Sequence, residues 1–591
     1  TLGLHGIKAT LSILIVNNMV FIPILAAASA ASQPACPAPT TTTSYSSIIC
    51  GICFSLVFIS SNYSSSILSF IIYLHNISKT YLPIQNFEKI RTEGFLYVDK
   101  TAEIYKLAKE GRYYFLSRPR RFGKSLLVST MEAYFSGRKE LFSGLAVEKM
   151  ETEWKQHPVL HLDLSGVSYT DESVLERVLS DKLAKWEALY GAVNTSDILG
   201  LRFKEVIEAA YNKTGNQVAI LIDEYDKPII DNLGNEPTLS RLRSTLQGFY
   251  SVMKSMDARI RFGFLTGVTK IGKMSVFSGL NNLNDISMIP DYVDICGISE
   301  TELHEYFDES ISELSSANEM SKEECYVKLK SMYDGYHFCE DSIGIYNPFS
   351  LLNTFQNKKF REYWFETGTP GFLVEVMRKT SFDVTTLENQ TVDSTLMSNA
   401  DAIFENPVPY LFQSGYLTIT GYNDMFRLYQ LGFPNQEVKN GFLNCLLKYY
   451  VPMSPDMSGT TLIYQLWHSI TEGNPESFMQ ILSSLFANTS YQIQGETEKD
   501  FQYAMYIISA LLGEYVQVER TTSNGRIDLI IQTKEFIYIF ELKVNADADV
   551  ALRQIDEKGY ARPFEGDSRK LFKIGVDFST ATRRIEDWKI V

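Results

Sequence analysis

A chain of 591 residues exceeds what one hydrophobic core organises, and at roughly 100–200 residues per domain it predicts about three or four units. Apolar residues at 45% and charged residues at 21% exclude a largely disordered chain. A formal charge of −15 excludes a global field that would draw the whole surface onto nucleic acid or anionic lipid, so any such contact must be local.

Residues 1–80 read as an apolar extension unlike the rest. The run ATLSILIVNNMVFIPILAAAS at 9–29 and a second apolar stretch at 48–74 are compatible with a signal sequence or membrane anchor, or with a misassigned segment foreign to the fold. Cys50 and Cys53 have redox spacing, but no second pair and no nearby histidine completes a zinc site. The other cysteines are scattered, as in a reducing compartment.

From residue 81 onward strands and amphipathic helices alternate. A helix is expected over 101–110, with strands at 112–117, 158–165, 217–223 and 259–268 and long helical stretches such as 172–190 and 237–256 between them. Four apolar strands so connected predict a parallel sheet covered by helices, assigned to residues 81–297. Between the first strand and the next helix stands SRPRRFGKS, 117–125. Gly123, Lys124 and Ser125 supply the backbone amide, the ammonium and the magnesium-ligating hydroxyl of a phosphate loop, although Arg118 stands where such loops open on glycine. Arg118, Arg120 and Arg121 bring further guanidinium groups for phosphate or a partner, and Arg121 is counted with the nucleotide-binding set. The strand in VAILIDEYDKP ends in two acids. Asp223 suits the magnesium shell with Ser125, and Glu224 suits the base that polarises an attacking water. Thr266 and Thr269, at the end of the last strand, are candidates to sense the terminal phosphate, with a role as caps or turn residues left open.

Residues 298–400 read as a helical lid, opened by a Ser N-cap and a glutamate three positions on in SETELHEYF. Residues 401–440 hold two strand-like runs joined by GYND, a winged-helix-like unit, and 441–495 form a helical linker. In 496–591 the stretch GRIDLIIQTKEFIYIFELKVN reads as a hairpin. Centring its turn on Lys534 and Glu535 sets Asp528 opposite Glu541 and puts Lys543 on the face of Glu541. Opposed carboxylates on apolar strands need a cation between them, and two acids, a divalent metal and a lysine are the equipment of phosphodiester hydrolysis. An upstream helix offers Glu498 as a further metal ligand, and the downstream helix ALRQIDEKGYA carries Gln554, Lys558 and Tyr560.

LPIQNFEKIRTEGFLYVDKT, FLSRPRRFGKSLLVSTMEAYF, LIDEYDKP, FSGLNNLNDIS, YDGYHF, GYLTI, LGFPNQEV and the C-terminal hairpin occur in order over residues 82–591. The chain thereby resembles the AAA-ATPase-like family whose members carry a C-terminal PD-(D/E)XK nuclease-superfamily domain. The resemblance implies an α/β protein: a P-loop NTPase domain with parallel sheet, helical lid and winged-helix-like region, then a restriction-endonuclease-like domain. It implies ATP and Mg²⁺ as ligands, phosphate-site roles for Lys124 and Ser125, strand-end acids in Asp223 and Glu224, and a nuclease core of Asp528, Glu541 and Lys543. DNA is the expected partner and the cytoplasm the expected location, with homo-oligomerisation compatible and a membrane involved only through a genuine N-terminal anchor. The competing expectation is an ATP-dependent partner-recognition switch whose nuclease fold is catalytically silent, favoured by the acidic charge and the lack of a basic stripe.

Overall fold

Near-continuous apolar runs such as YYFLS and VAILID suit strands covered on both faces, and in the computed structural model they form the centre of a five-stranded parallel sheet. The structure describes Leu14–Val16, Met19–Phe21 and residues 84–591 apart from 194–195, 279, 281, 367–370, 399–400, 452–457, 488–497, 514–516, 524–525 and 583. The chain divides into two units, Thr1–Ser78 and Lys79–Val591. Of the first, an antiparallel pairing of Leu14–Val16 with Met19–Phe21 is described. The rest of both apolar stretches, with Cys50 and Cys53, lies outside the described residues. Among the described residues no helix is long and apolar enough to cross a membrane.

The second unit opens with α1 (Phe87–Glu93) and α2 (Thr101–Glu110), then β1 (Tyr113–Ser117) and α3 (Lys124–Phe135). β2 (Val159–Asp163), α4 (Glu172–Tyr190), α5 (Leu199–Thr214), β3 (Val218–Asp223), α6 (Glu236–Tyr250) and β4 (Ile260–Gly267) follow. A fifth strand, β5 (Asn284–Asp285), is too short to announce itself by periodicity. The sheet order is β2-β3-β4-β1-β5, every pair parallel. The loop-bearing strand β1 therefore neighbours the threonine strand β4, and the acidic strand β3 lies one place further. All these C-terminal strand ends open on the same edge, where ligands of parallel sheets bind.

β6 (Ile298–Ser299) leads into α7 (Glu300–Ala317), whose capping box joins Ser299 and Glu302 as its sequence predicts. α8 (Lys322–Tyr333), β7 (Ile345–Tyr346) and α9 (Pro348–Asn357) complete a helical layer. It has its own core around Leu303, Phe307, Ile311, Leu329 and Phe355. A three-stranded antiparallel sheet follows, ordered β8 (Gln390–Asp393), β10 (Leu428–Gly432), β9 (Thr418–Asn423). It draws one strand from ahead of residue 401. Gly421, Tyr422 and Asn423 belong to β9 rather than to the turn, which runs through Asp424–Arg427 with Arg427 at φ 55°.

α10 (Gln436–Tyr450) packs against α11 (Glu498–Leu512), the helix that opens the C-terminal domain. There β11 (Gln517–Ser523), β12 (Arg526–Gln532), β13 (Phe536–Val544), α12 (Ala548–Lys558), β14 (Lys570–Ser579) and β15 (Arg584–Ile590) form a mixed sheet in sequence order. Only β13 and β14 run parallel, and α12 makes the crossover that such a pair requires.

Candidate functional site

The loop 117–125 curls because Arg121, at φ 68°, and Gly123, at φ 94°, adopt left-handed backbone. Alternating conformations of this kind converge successive N–H groups into an anion-binding concavity. Helix α3 starts immediately afterwards. Its N-cap is Gly123, no side chain caps it, and no acid occupies its first turn, so its N-terminal amides and dipole are left for an anion. Lys124 is buried and its Nζ donates to the carbonyls of Arg118, at 2.9 Å, and Pro119, at 3.0 Å. Ser125 is half-buried beside it.

Arg118 does not face the phosphate position. It is 1% exposed and donates to the carbonyls of Ser117 at 3.0 Å, Ser287 at 2.7 Å and Tyr292 at 2.9 Å, with its guanidinium 3.9 Å from the Phe338 ring centroid. Burial lowers its pKa to about 10, which leaves it cationic at neutral pH. The arginine at the glycine position is a strut that ties the loop to the segment after β5. Arg120 and Arg121 are exposed instead, and Arg121 lies over Phe349 at 5.1 Å.

At the end of β3, Asp223 is buried and accepts a hydrogen bond from the Thr266 hydroxyl. Thr266 is thus engaged with the strand-end acid. Thr269 is also buried, and both its amide, at 2.6 Å, and its hydroxyl, at 2.9 Å, donate to Asp226. The turn-residue alternative describes Thr269. Asp226, the third acid of DEYD, was missed by the sequence reading, because nothing in sequence separates its clamp from the roles of its neighbours. Glu224 turns out of the strand at φ 53°, half-buried; burial raises its pKa and the Lys124 charge counters part of that rise.

Arg120, Arg121, Gly123, Lys124, Ser125 and Glu224 line a cavity of about 520 Å³, whereas Asp223, Thr266 and Thr269 are buried and do not line it. Its polar lining includes Arg120, Arg121, Gly123, Lys124, Ser125, Ser165, Glu224 and Lys227. Its apolar lining comes from residues 84–98 and the helical layer: Ile90, Phe95, Val98, Phe307, Phe349 and Leu352. A phosphate cradle joined to an apolar slot has the polarity of a nucleoside triphosphate. The apolar wall escaped the sequence reading because its parts are more than 200 residues apart.

In the C-terminal domain the register pairs Asp528 with Glu541, as the turn position predicts. Glu541 is fully buried, and Lys543 Nζ lies 2.8 Å from Glu541 Oε1 and 2.5 Å from Gln554 Oε1 on α12. Glu541, Lys543 and Gln554 therefore meet. The side chains of Asp528 and Glu498 lie outside the described residues, and the backbone places Glu498 at the first turn of α11. Tyr560 falls beyond the left-handed cap at Gly559, past the end of α12 rather than on its face. Among the described residues no three His, Cys, Asp or Glu side chains form a metal-ready cluster.

Comparison with known proteins follows this geometry. Residues 82–277 match the family model of predicted AAA-ATPases and residues 496–588 that of the PD-(D/E)XK nuclease superfamily. The chain is 36% identical over 524 residues to a protein described as "Uncharacterized protein in vnfD 5'region" from Azotobacter chroococcum mcd 1, covering 86% of this chain and 98% of the relative.

Proposed function

Because the chain belongs to the AAA-ATPase-like family with a C-terminal PD-(D/E)XK nuclease-superfamily domain, we propose that it hydrolyses ATP at the loop of α3 and uses that cycle to govern Mg²⁺-dependent cleavage of DNA at Glu541 and Lys543. The observation that carries this reading is the coexistence of two built sites in one chain: a phosphate loop sharing a cavity with the strand-end acid Glu224, and a buried carboxylate bonded to a lysine on a strand whose register pairs Glu541 with Asp528.

At the first site Lys124 leaves its two loop carbonyls for the terminal phosphates, and the α3 amides hold the phosphate oxygens. Ser125 and Asp223 would hold the magnesium ion, with Thr266 fixing the Asp223 carboxylate. Glu224 accepts a proton from the attacking water. At the second site Asp528 and Glu541 would hold the metal, with Glu498 as a further candidate. Bound there, a divalent ion lowers the pKa of a water and neutralises charge on the scissile phosphate. Lys543, steered by Gln554, orients the nucleophile.

The test is ATP hydrolysis and DNA nicking by the full chain with Mg²⁺, beside Lys124→Ala and Glu541→Ala. The expected result is loss of nucleotide binding and turnover in the first variant and at least a hundredfold loss of nicking in the second. Nucleotide binding that Lys124→Ala removes, together with no nicking in any variant, selects the silent-nuclease switch that the −15 charge favours.

A further inference from the structure

The phosphate loop carries three arginines, and the structure gives each different surroundings. Arg118 is sealed in the core, and Arg121 lies over the Phe349 ring. Arg120 lines the cavity together with Arg121, Ser165, Glu224 and Lys227. Its side chain is exposed, and among the described residues its guanidinium has no ion pair and no hydrogen bond. The neighbouring Lys227 is by contrast already committed to Asp231. Arg120 and Glu224 line the same cavity, where burial raises the Glu224 carboxyl and Lys124, with a smaller share from Arg120, opposes that rise.

The main chain of Arg120 is fixed from outside the loop, because Trp364 Nε1 donates to its carbonyl at 3.0 Å. The residue thus combines a pinned backbone with an uncommitted cationic head, in the same cavity as the acid that would receive the proton of the attacking water. A cation placed there meets charge as it develops on the transferred phosphoryl group. Such an arginine can come from the same chain or from a partner, and it contributes about 10³–10⁵ in turnover. A planar guanidinium matches phosphate oxygens better than an ammonium does.

We propose that Arg120 is an arginine finger built into the phosphate loop itself, which grips the terminal phosphate of ATP within one chain. The proposal rests on the ATPase reading above. In the step it assists, the water oxygen bonds to the terminal phosphorus as the bond to the bridging oxygen breaks. The electron pair leaves on the diphosphate, and the water proton passes to Glu224. Arg120 takes up charge on the transferring oxygens and then releases inorganic phosphate.

The full-length chain is titrated with ADP, with the non-hydrolysable triphosphate adenylyl imidodiphosphate, and with ADP plus aluminium fluoride, as wild type, Arg120→Ala, Arg120→Lys and Lys124→Ala. For Arg120→Ala the expected result is ADP affinity within twofold of wild type, which also reports an intact fold. Triphosphate-analogue affinity falls about tenfold, aluminium fluoride capture is lost and turnover drops at least a hundredfold. Arg120→Lys recovers analogue affinity in part but not capture. Equal effects on ADP and the triphosphate, or none on either, overturn the finger. Rescue of Arg120→Ala on mixing with Lys124→Ala chains also overturns it, because the arginine would then act between chains. Wild type that binds no nucleotide, or a Lys124→Ala variant with unchanged affinity, overturns the ATPase reading instead.

Discussion

Arg118 exchanges its hydration shell for three carbonyl oxygens on its terminal nitrogens and an aromatic face, while its Nε is buried without a partner, so the trade leaves little margin for losing another bond. Restoring the glycine usual in phosphate loops, Arg118→Gly, is therefore expected to destabilise the chain by on the order of 3 kcal/mol, because buried carbonyls lose their donors and a large side chain leaves a void. Thermal unfolding followed by circular dichroism checks this, and an unchanged melting temperature refutes the strut. Asp285 makes a second residue-scale case. Burial alone would raise its carboxyl, but Lys270 at 3.0 Å and Lys273 at 2.5 Å outweigh that and hold it well below the ordinary carboxylate range. A depressed folded pKa contributes stability that is present above the unfolded value of about 4 and is lost as pH falls through the folded value. Asp285→Asn should then cost several kcal/mol at pH 7, on the order of 3, with the gap from wild type narrowing only below about pH 4 in denaturant titrations. Neither role was readable in the sequence, where Arg118 is one of three loop arginines and Asp285 one acid in a polar turn. What decides them is which carbonyls and lysines lie across the fold.

Among the elements, the hairpin of β12 and β13 was the most legible, because a strand's period of two and a turn centred on Lys534 and Glu535 leave one register that buries its apolar residues. The capping box of α7 was legible for a similarly local reason. The strand β5 was not, since two residues carry no periodicity. The seat of α12 was hidden too, because it depends on Gly575, paired with Glu541 across β13 and β14. A Cβ at Gly575 would stand 2.4 Å from the Ala548 carbonyl and 2.9 Å from the Leu552 amide, both backbone atoms of the helix segment that carries Gln554. Gly575→Ala must push α12 off the sheet, and the expected outcome is a loss of about 1–3 kcal/mol in chemical denaturation. DNA nicking should fall with it, as Gln554 moves away from Lys543. Wild-type stability in the variant would show that the helix moves freely.

Across the whole second unit, a chain of contacts runs from the phosphate loop to the C-terminal domain. The Trp364 indole holds the Arg120 carbonyl, and the Trp364 amide donates to Glu437 of α10 at 2.8 Å. α10 packs on α11, with Tyr450 and Tyr503 in edge contact at 5.5 Å, and α11 leads toward β11. Trp364→Phe keeps an aromatic ring beside Tyr416 but deletes the indole N–H. Its expected effect is a severalfold drop in the response of DNA cleavage to ATP, with cleavage in Mg²⁺ alone retained; an unaltered ATP response breaks this route. Lys124 makes a further demand on any ligand of its loop, because its ammonium bonds two carbonyls of that loop and a phosphate has to replace both. A lone orthophosphate must break those bonds with one charged group, whereas a triphosphate brings several and an apolar base to anchor itself first. The loop is expected to act as a latch with a threshold, lifted more readily by a triphosphate than by a small anion.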